Sequence, residues 1–237
     1  MGQKKLIRFA ELDTLANVLQ YPQGMGGKWN EFFHNTAPIT LELACGKGEY
    51  AVGLAQIYPD RNFIGVDQKG NRIWVGAKKA VAQKIKNVAF LRIQIDGITN
   101  CFNREEVDEI WITFPDPQLR ISKDKKRLTH PKFLRMYQQI LKPGGKINLK
   151  TDSPELFLFT KKVIQLYGCT LHEELDDVHR QPDVKPELSI KTHYEALDIA
   201  GSNKVHYLSF SLPALISGKD LDAQLHQQLK HEAAAID

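Results

Sequence analysis

The chain has 237 residues, 42% apolar and 25% charged, with a formal net charge of +4. That length suits one α/β domain with extensions and is too short for two full domains. No apolar stretch nears the roughly 18 residues a membrane-spanning helix needs, and MGQKKLIRFAELD lacks the apolar centre of a secretory signal. Cys45, Cys101 and Cys169 form no C-x-x-C pair or metal spacing, which fits reduced thiols in a cytoplasmic protein with no metal site.

Residues 1–37 read as an N-terminal extension: a polar stretch, a Gly-rich turn at 23–27, then Trp29, Phe32 and Phe33, expected to pack over the domain edge. From Ile39 short apolar runs alternate with helix-length segments. The runs are 39–44, 63–66, 88–93, 109–114 and 146–150; the segments between are 47–58, 70–86, 97–106 and 130–142. Such alternation predicts βαβ units with right-handed crossovers and a mostly parallel sheet covered on both faces. Lys142-Pro-Gly-Gly145 reads as a stop and turn before the fifth run. A helix at 154–167 and strands at 169–174 and 204–211 complete a domain spanning 38–212, and 213–237 is a helix-compatible tail. The irregular stretch around 176–186 exceeds ordinary loop length, which points to function or mobility.

The first strand and its turn read LELACGKGEYAVG. Gly46 and Gly48 open a helix, leaving backbone N–H groups free to face a ligand; the spacing also matches a dinucleotide fingerprint, a weak signal by itself. Asp67 ends the second strand, where a carboxylate accepts ribose hydroxyls, and Asp96 follows the third, where one can take an adenine amine. Acids at the carboxyl ends of successive parallel strands converge on one crevice. Glu42, four residues before Gly46, opposes a pyrophosphate but suits the cationic methionine moiety of S-adenosylmethionine, which favours that cofactor over NAD.

The fourth strand ends in Thr113-Phe114-Pro115-Asp116-Pro117, whose prolines restrict the backbone and present Asp116 with little freedom. Between Gln118 and Arg135 lie seven Lys/Arg against one acid, Asp124, a net +6 that exceeds the charge of the whole chain. Charge so localised beside the active end of a sheet suggests a polyanionic substrate.

These residues resemble the bacterial tRNA (guanine-N7-)-methyltransferases. The resemblance covers roughly 28–210 and rests on KWNEFF, LELACGKGEY, FIGVD, EIWITFPDP with its basic tail to KKRLTHPKF, LKPGGKINLKTD and SIKTHYE. It implies a Rossmann-like class I methyltransferase fold, a mostly parallel seven-stranded sheet with one antiparallel strand near the edge and helices on both faces. It further implies an S-adenosylmethionine pocket lined by Glu42, Gly46, Gly48, Asp67, Asp96 and Asp116, with Asp116 catalytic. Substrate contacts are implied at Arg120, Asp152, Thr192, His193, Tyr194 and Glu195, and tRNA backbone contacts are expected from Lys123, Lys125, Lys126 and Arg127. Ala44 stands where the family usually has Gly, and Gln118 where it commonly has Trp. Two other functions share the composition: an NAD-dependent oxidoreductase, and a non-catalytic RNA-binding protein on the same fold.

Overall fold

The computed structural model describes residues 3–197, 201 and 203–234. In chain order its elements are α1 (Gln3–Leu12), β1 (Val18–Gln20), α2 (Trp29–Phe33), β2 (Ile39–Leu43), α3 (Glu49–Ile57), β3 (Asn62–Asp67), α4 (Gly70–Ala82), β4 (Val88–Arg92) and β5 (Val107–Thr113). They continue with α5 (Pro131–Ile140), β6 (Leu141–Thr151), α6 (Pro154–Leu166), β7 (Thr170–Leu175), β8 (His206–Ser211) and α7 (Lys219–Ala234).

One sheet runs in the order β1-β4-β3-β2-β5-β6-β8-β7. Every neighbouring pair is parallel except β6 with β8 and β8 with β7, so β8 alone is reversed. The five strands expected from the apolar runs and the two expected after them are all present, and β1, from residues 18–20, adds an eighth at the edge beside β4. Alternation sends successive side chains to opposite faces. On β5, Ile110 and Ile112 join the core beneath α5 and α6, while Trp111 joins the one beneath α3 and α4. Trp29 is fully buried, stacks on Phe102 at 5.1 Å and donates its indole N–H to the Cys101 carbonyl at 2.9 Å.

Two local expectations are corrected. Residues 97–106 form no α-helix; a short 3-10 turn, Ile95–Asn100, takes their place. Gly97, Asn100 and Asn103 leave too little helix propensity in ten residues to nucleate a longer one. Lys142-Pro-Gly-Gly145, ahead of the fifth run, does not stand outside the strand but lies inside β6. Val107 pairs with Leu141 and Glu109 with Lys146, so the Pro-Gly-Gly is absorbed as a bulge.

The turn between β2 and α3 is set by sterics. Gly48 has φ +70°, and a Cβ there would lie 2.3 Å from Phe90 Cε1. The start of α3 therefore sits directly on β4 and α4, where Gly76 leaves matching room beside the Lys47 carbonyl. Ala44 also adopts a left-handed φ of +57°, which explains why glycine suits that position. Gly48→Ala should cost about 2–3 kcal/mol or more, from overpacking plus backbone strain, readable by urea unfolding. A loss below about 0.5 kcal/mol would contradict this packing.

Candidate active site

Because β2 to β6 are parallel, their carboxyl ends share one edge, and the residues that follow them form a crevice. Asp67 is buried at the end of β3. Its Oδ2 accepts the Gly46 N–H at 3.0 Å and its Oδ1 the Lys69 N–H at 2.8 Å, tying the first two turns together. Each carboxylate oxygen keeps a second lone pair for a ligand hydroxyl. Gly46 faces the crevice rather than the core: a Cβ there would meet the Tyr194 ring at 3.5 Å and the Ala44 carbonyl at 4.0 Å. Gly48, by contrast, faces Phe90 and serves packing.

Glu42 is 2% exposed, within β2. Its Oε2 accepts the Ala51 N–H at 2.8 Å and its Oε1 the Thr113 hydroxyl at 2.7 Å. It thus caps a backbone donor at the start of α3 that a pyrophosphate would otherwise take. Burial pushes its pKa up to about 8, against the lowering effect of the Thr113 and Ala51 hydrogen bonds.

The Asp116 loop is held at three points. Phe114 sits in the left-handed region (φ +45°) and donates its N–H to the Lys150 carbonyl at 2.8 Å. Asp116 Oδ1 accepts the Gln118 N–H at 3.0 Å, an Asx turn that accompanies Gln118's φ of +49°, and the Asp116 side chain is exposed to the crevice edge. Arg127 then grips the loop from below. Its Nε donates to the Pro117 carbonyl at 3.1 Å, Nη2 to that of Gln118 at 3.2 Å, and its guanidinium lies 4.4 Å from the Phe159 ring.

Arg127 is therefore separated from the basic rim assigned to it: at 5% exposure it is buried, and burial pulls its pKa down. The segment Ile121–Lys126 is a 3-10 turn of three-residue period. Ile121, Asp124 and Arg127 point inward, and Lys123, Lys125 and Lys126 outward, all three exposed. Arg120 is exposed where the turn begins. Asp96, also exposed, forms an ion pair with Lys132. Asp152 follows β6 on the crevice edge, half-buried.

Residues 178–197 form a strap across the crevice, stitched by three short 3-10 turns. Its anchor is Lys150, fully buried at the end of β6, a residue the apolar-run reading passed over as part of a strand. The ammonium donates to the carbonyls of Leu188 at 2.8 Å and Ile190 at 2.9 Å, and to Glu195 Oε2 at 3.0 Å. Burial lowers its pKa while Glu195 opposes that shift. Tyr50 of α3 and Tyr58, just past its end, donate to the Glu187 carbonyl (2.5 Å) and carboxylate (2.7 Å), fastening the strap's other side. Thr192 is buried and its hydroxyl accepts the Glu195 N–H at 3.1 Å. Glu195 is 5% exposed in its side chain; Lys150 engages its Oε2, while its Oε1, 3.1 Å from His179 Nε2, is buried without a hydrogen bond among the described residues. Tyr194 stands over the Gly46 turn, with the Arg72 guanidinium 5.4 Å from its ring and exposed His193 at its edge, 5.7 Å away. Among the described residues no helix is long and apolar enough to cross a membrane, and no group of three or more His, Cys, Asp or Glu is placed to hold a metal.

A mostly parallel sheet with one reversed strand near its edge, acids at its carboxyl ends and a glycine turn after the first central strand define a class I methyltransferase. Residues 36–208 match the family model described as "Putative methyltransferase". The chain belongs to the tRNA (guanine-N7-)-methyltransferase family. It is 46% identical to the tRNA (guanine-N(7)-)-methyltransferase of Porphyromonas gingivalis, covering 85% of this chain and 86% of that protein. It is 42% identical to the one of Bacteroides thetaiotaomicron, covering 95% and 93%. Solved structures of the same fold include the 16S rRNA methyltransferase KamB, with a TM-score of 0.61 at 15% identity over 83% of this chain and 99% of that one. The 16S rRNA (adenine(1408)-N(1))-methyltransferase from Catenulisporales acidiphilia matches with a TM-score of 0.57 at 15% identity, over 81% and 94%.

Lys150→Met leaves Glu195 buried without its main partner and should cost about 3–5 kcal/mol; an unchanged urea midpoint would show that the strap does not depend on it. Glu42, with a folded pKa raised above its unfolded value, binds more protons in the folded state. Its contribution to stability is therefore full below pH 4.5 and falls as pH rises toward about 8. Glu42→Gln should flatten the melting temperature against pH over that window, and identical curves for both proteins would refute the shift.

Proposed function

We propose that this chain transfers the methyl group of S-adenosylmethionine to N7 of a guanosine in tRNA, with the variable loop as the target region. The observation that carries the reading is the three-point anchoring of Asp116 between the Asp67 turn and the lysine-bearing turn. A carboxylate held so rigidly, beside a cofactor crevice and a polycationic rim, fits a reaction that builds positive charge on a base attached to a polyanion.

The donor set fits S-adenosylmethionine. Asp67 offers two oxygens for ribose hydroxyls, Gly46 leaves the turn open, and no metal or pyrophosphate cradle is needed. Glu42 occupying the Ala51 N–H disfavours a dinucleotide, which weighs against an NAD-dependent oxidoreductase. When bound, the cofactor supplies an electrophilic methyl group on a sulfonium.

Guanine N7 carries an in-plane lone pair and requires no prior deprotonation. The purine becomes cationic as it reacts, so Asp116 acts by staying charged, an electrostatic role rather than general-base catalysis. The Asx turn and Arg127 hold the carboxylate in place before the substrate arrives, which avoids reorganisation during the reaction. Asp152 accepts from the N1–H and amine edge of the guanine. Glu195, engaged by Lys150, holds the strap that carries Thr192, His193 and Tyr194. Arg120, Lys123, Lys125 and Lys126 neutralise tRNA phosphates, and the target base leaves its stack to reach the crevice. A soluble tRNA substrate places the reaction in the cytoplasm.

Asp116→Asn preserves the Asx turn but removes the charge. Its turnover on tRNA should fall by about 10²-fold or more, with S-adenosylmethionine affinity by calorimetry within a few-fold of wild type. Digestion of the wild-type product to nucleosides should yield 7-methylguanosine. Wild-type turnover from the variant removes Asp116 from catalysis; no methyl incorporation by the wild type favours a purely RNA-binding protein.

A further inference from the structure

The basic turn Ile121–Lys126 contains one acid, and that acid faces inward. Asp124 is 4% exposed; its Oδ1 accepts the Lys125 N–H at 2.6 Å, and its Oδ2 lies 3.4 Å from Nδ1 of His226 on α7. One helical turn earlier, on the same face of α7, Asp222 takes both guanidinium nitrogens of Arg135, at 3.0 and 2.6 Å, and the Tyr167 hydroxyl at 2.5 Å. Leu225, between them, is 1% exposed and lies in the core shared with α5 and α6. The approach to α7 is pinned as well: Gln138 donates to the Pro213 carbonyl at 2.8 Å and accepts the Ile216 N–H at 3.2 Å.

α7 thus runs from the Arg135 side of α5 toward the lysine turn. Arg135 and Tyr167 fix the helix, and His226 meets the one carboxylate of the turn. A six-residue 3-10 turn with three outward lysines gains little stability from its own hydrogen bonds, and the like charges repel. An inward carboxylate with an external partner offsets both effects.

We propose that α7 is a strut for tRNA binding: docked through Asp222 on Arg135, it presents His226 to Asp124 and so holds Lys123, Lys125 and Lys126 at the rim of the methyl-transfer crevice. His226 and Asp124 are positioning residues for the substrate and have no part in cofactor binding. The inference rests on the reading of the lysine turn as a tRNA contact, and the experiment separates the two.

Full-length wild type, His226→Ala, Asp124→Asn, their double variant and a Lys123/Lys125/Lys126→Ala variant are compared. The measurements are steady-state kinetics on unmodified tRNA, tRNA affinity between about 50 and 200 mM salt, and S-adenosylmethionine affinity by calorimetry. His226 is 43% exposed in its side chain and alanine favours helix, so this variant keeps the fold. His226→Ala should raise KM for tRNA roughly three-fold or more and make the salt dependence shallower, with kcat and cofactor affinity unchanged. Asp124→Asn, which also removes a charge beside the buried Arg127, should raise KM for tRNA at least as much, the double variant should be no worse than Asp124→Asn alone, and His226→Gln, which keeps a donor, should recover much of the loss. If the lysine variant loses salt dependence while KM and the salt slope of His226→Ala match wild type, the strut is refuted and the tRNA contact stands. If the lysine variant itself keeps the wild-type slope, the tRNA reading of the turn fails and the strut with it.

Discussion

The site depends on one buried ammonium. Lys150 ends β6 with no solvent contact and must find acceptors inside the protein, since an unpaired buried charge costs several kcal/mol. It finds them in the strap, at Leu188, Ile190 and Glu195, while its own backbone carbonyl accepts the N–H of Phe114. One residue therefore joins the cover of the crevice to the loop that presents Asp116. The requirement is one of electrostatic satisfaction, not of packing, which makes the strap's position discrete.

The carboxylates at the crevice divide by environment. Glu42 is desolvated and raised to about 8, so its role is to organise the start of α3 through the Ala51 N–H. Asp67 keeps lone pairs for a ligand while its hydrogen bonds fix the turns. Asp116 is exposed and held by the Gln118 N–H, which fixes where its carboxylate stands. In the proposed reaction these three acids divide into a scaffold, a group that binds the cofactor and an electrostatic stabiliser.

The parallel core was legible because strands buried on both faces read as apolar runs, and helices between them show apolar spacing. The acids were legible because a parallel sheet puts every strand's carboxyl end on the same edge. The roles of Lys150 and Arg127 were not. Lys150 looked like an ordinary strand-end lysine, though its place after three buried residues was a faint signal. Arg127 reads as one more cation of the basic run, because net charge carries no information about depth. The three-residue spacing of Ile121, Asp124 and Arg127 carries the correct division, but only a 3-10 turn gives that spacing meaning.

Local chemistry in the sequence was enough for the strand order of chemistry-bearing residues, the left-handed glycine turn and the proline-flanked acid, because each is a short-range consequence of backbone sterics and alternation. Only tertiary structure decided which charges face water. Burial of Lys150, Asp124 and Arg127 depends on partners about 10 to 100 residues away, on Glu195, His226 and the Pro117 carbonyl. No local pattern of charge encodes a partner that the fold brings in from elsewhere in the chain.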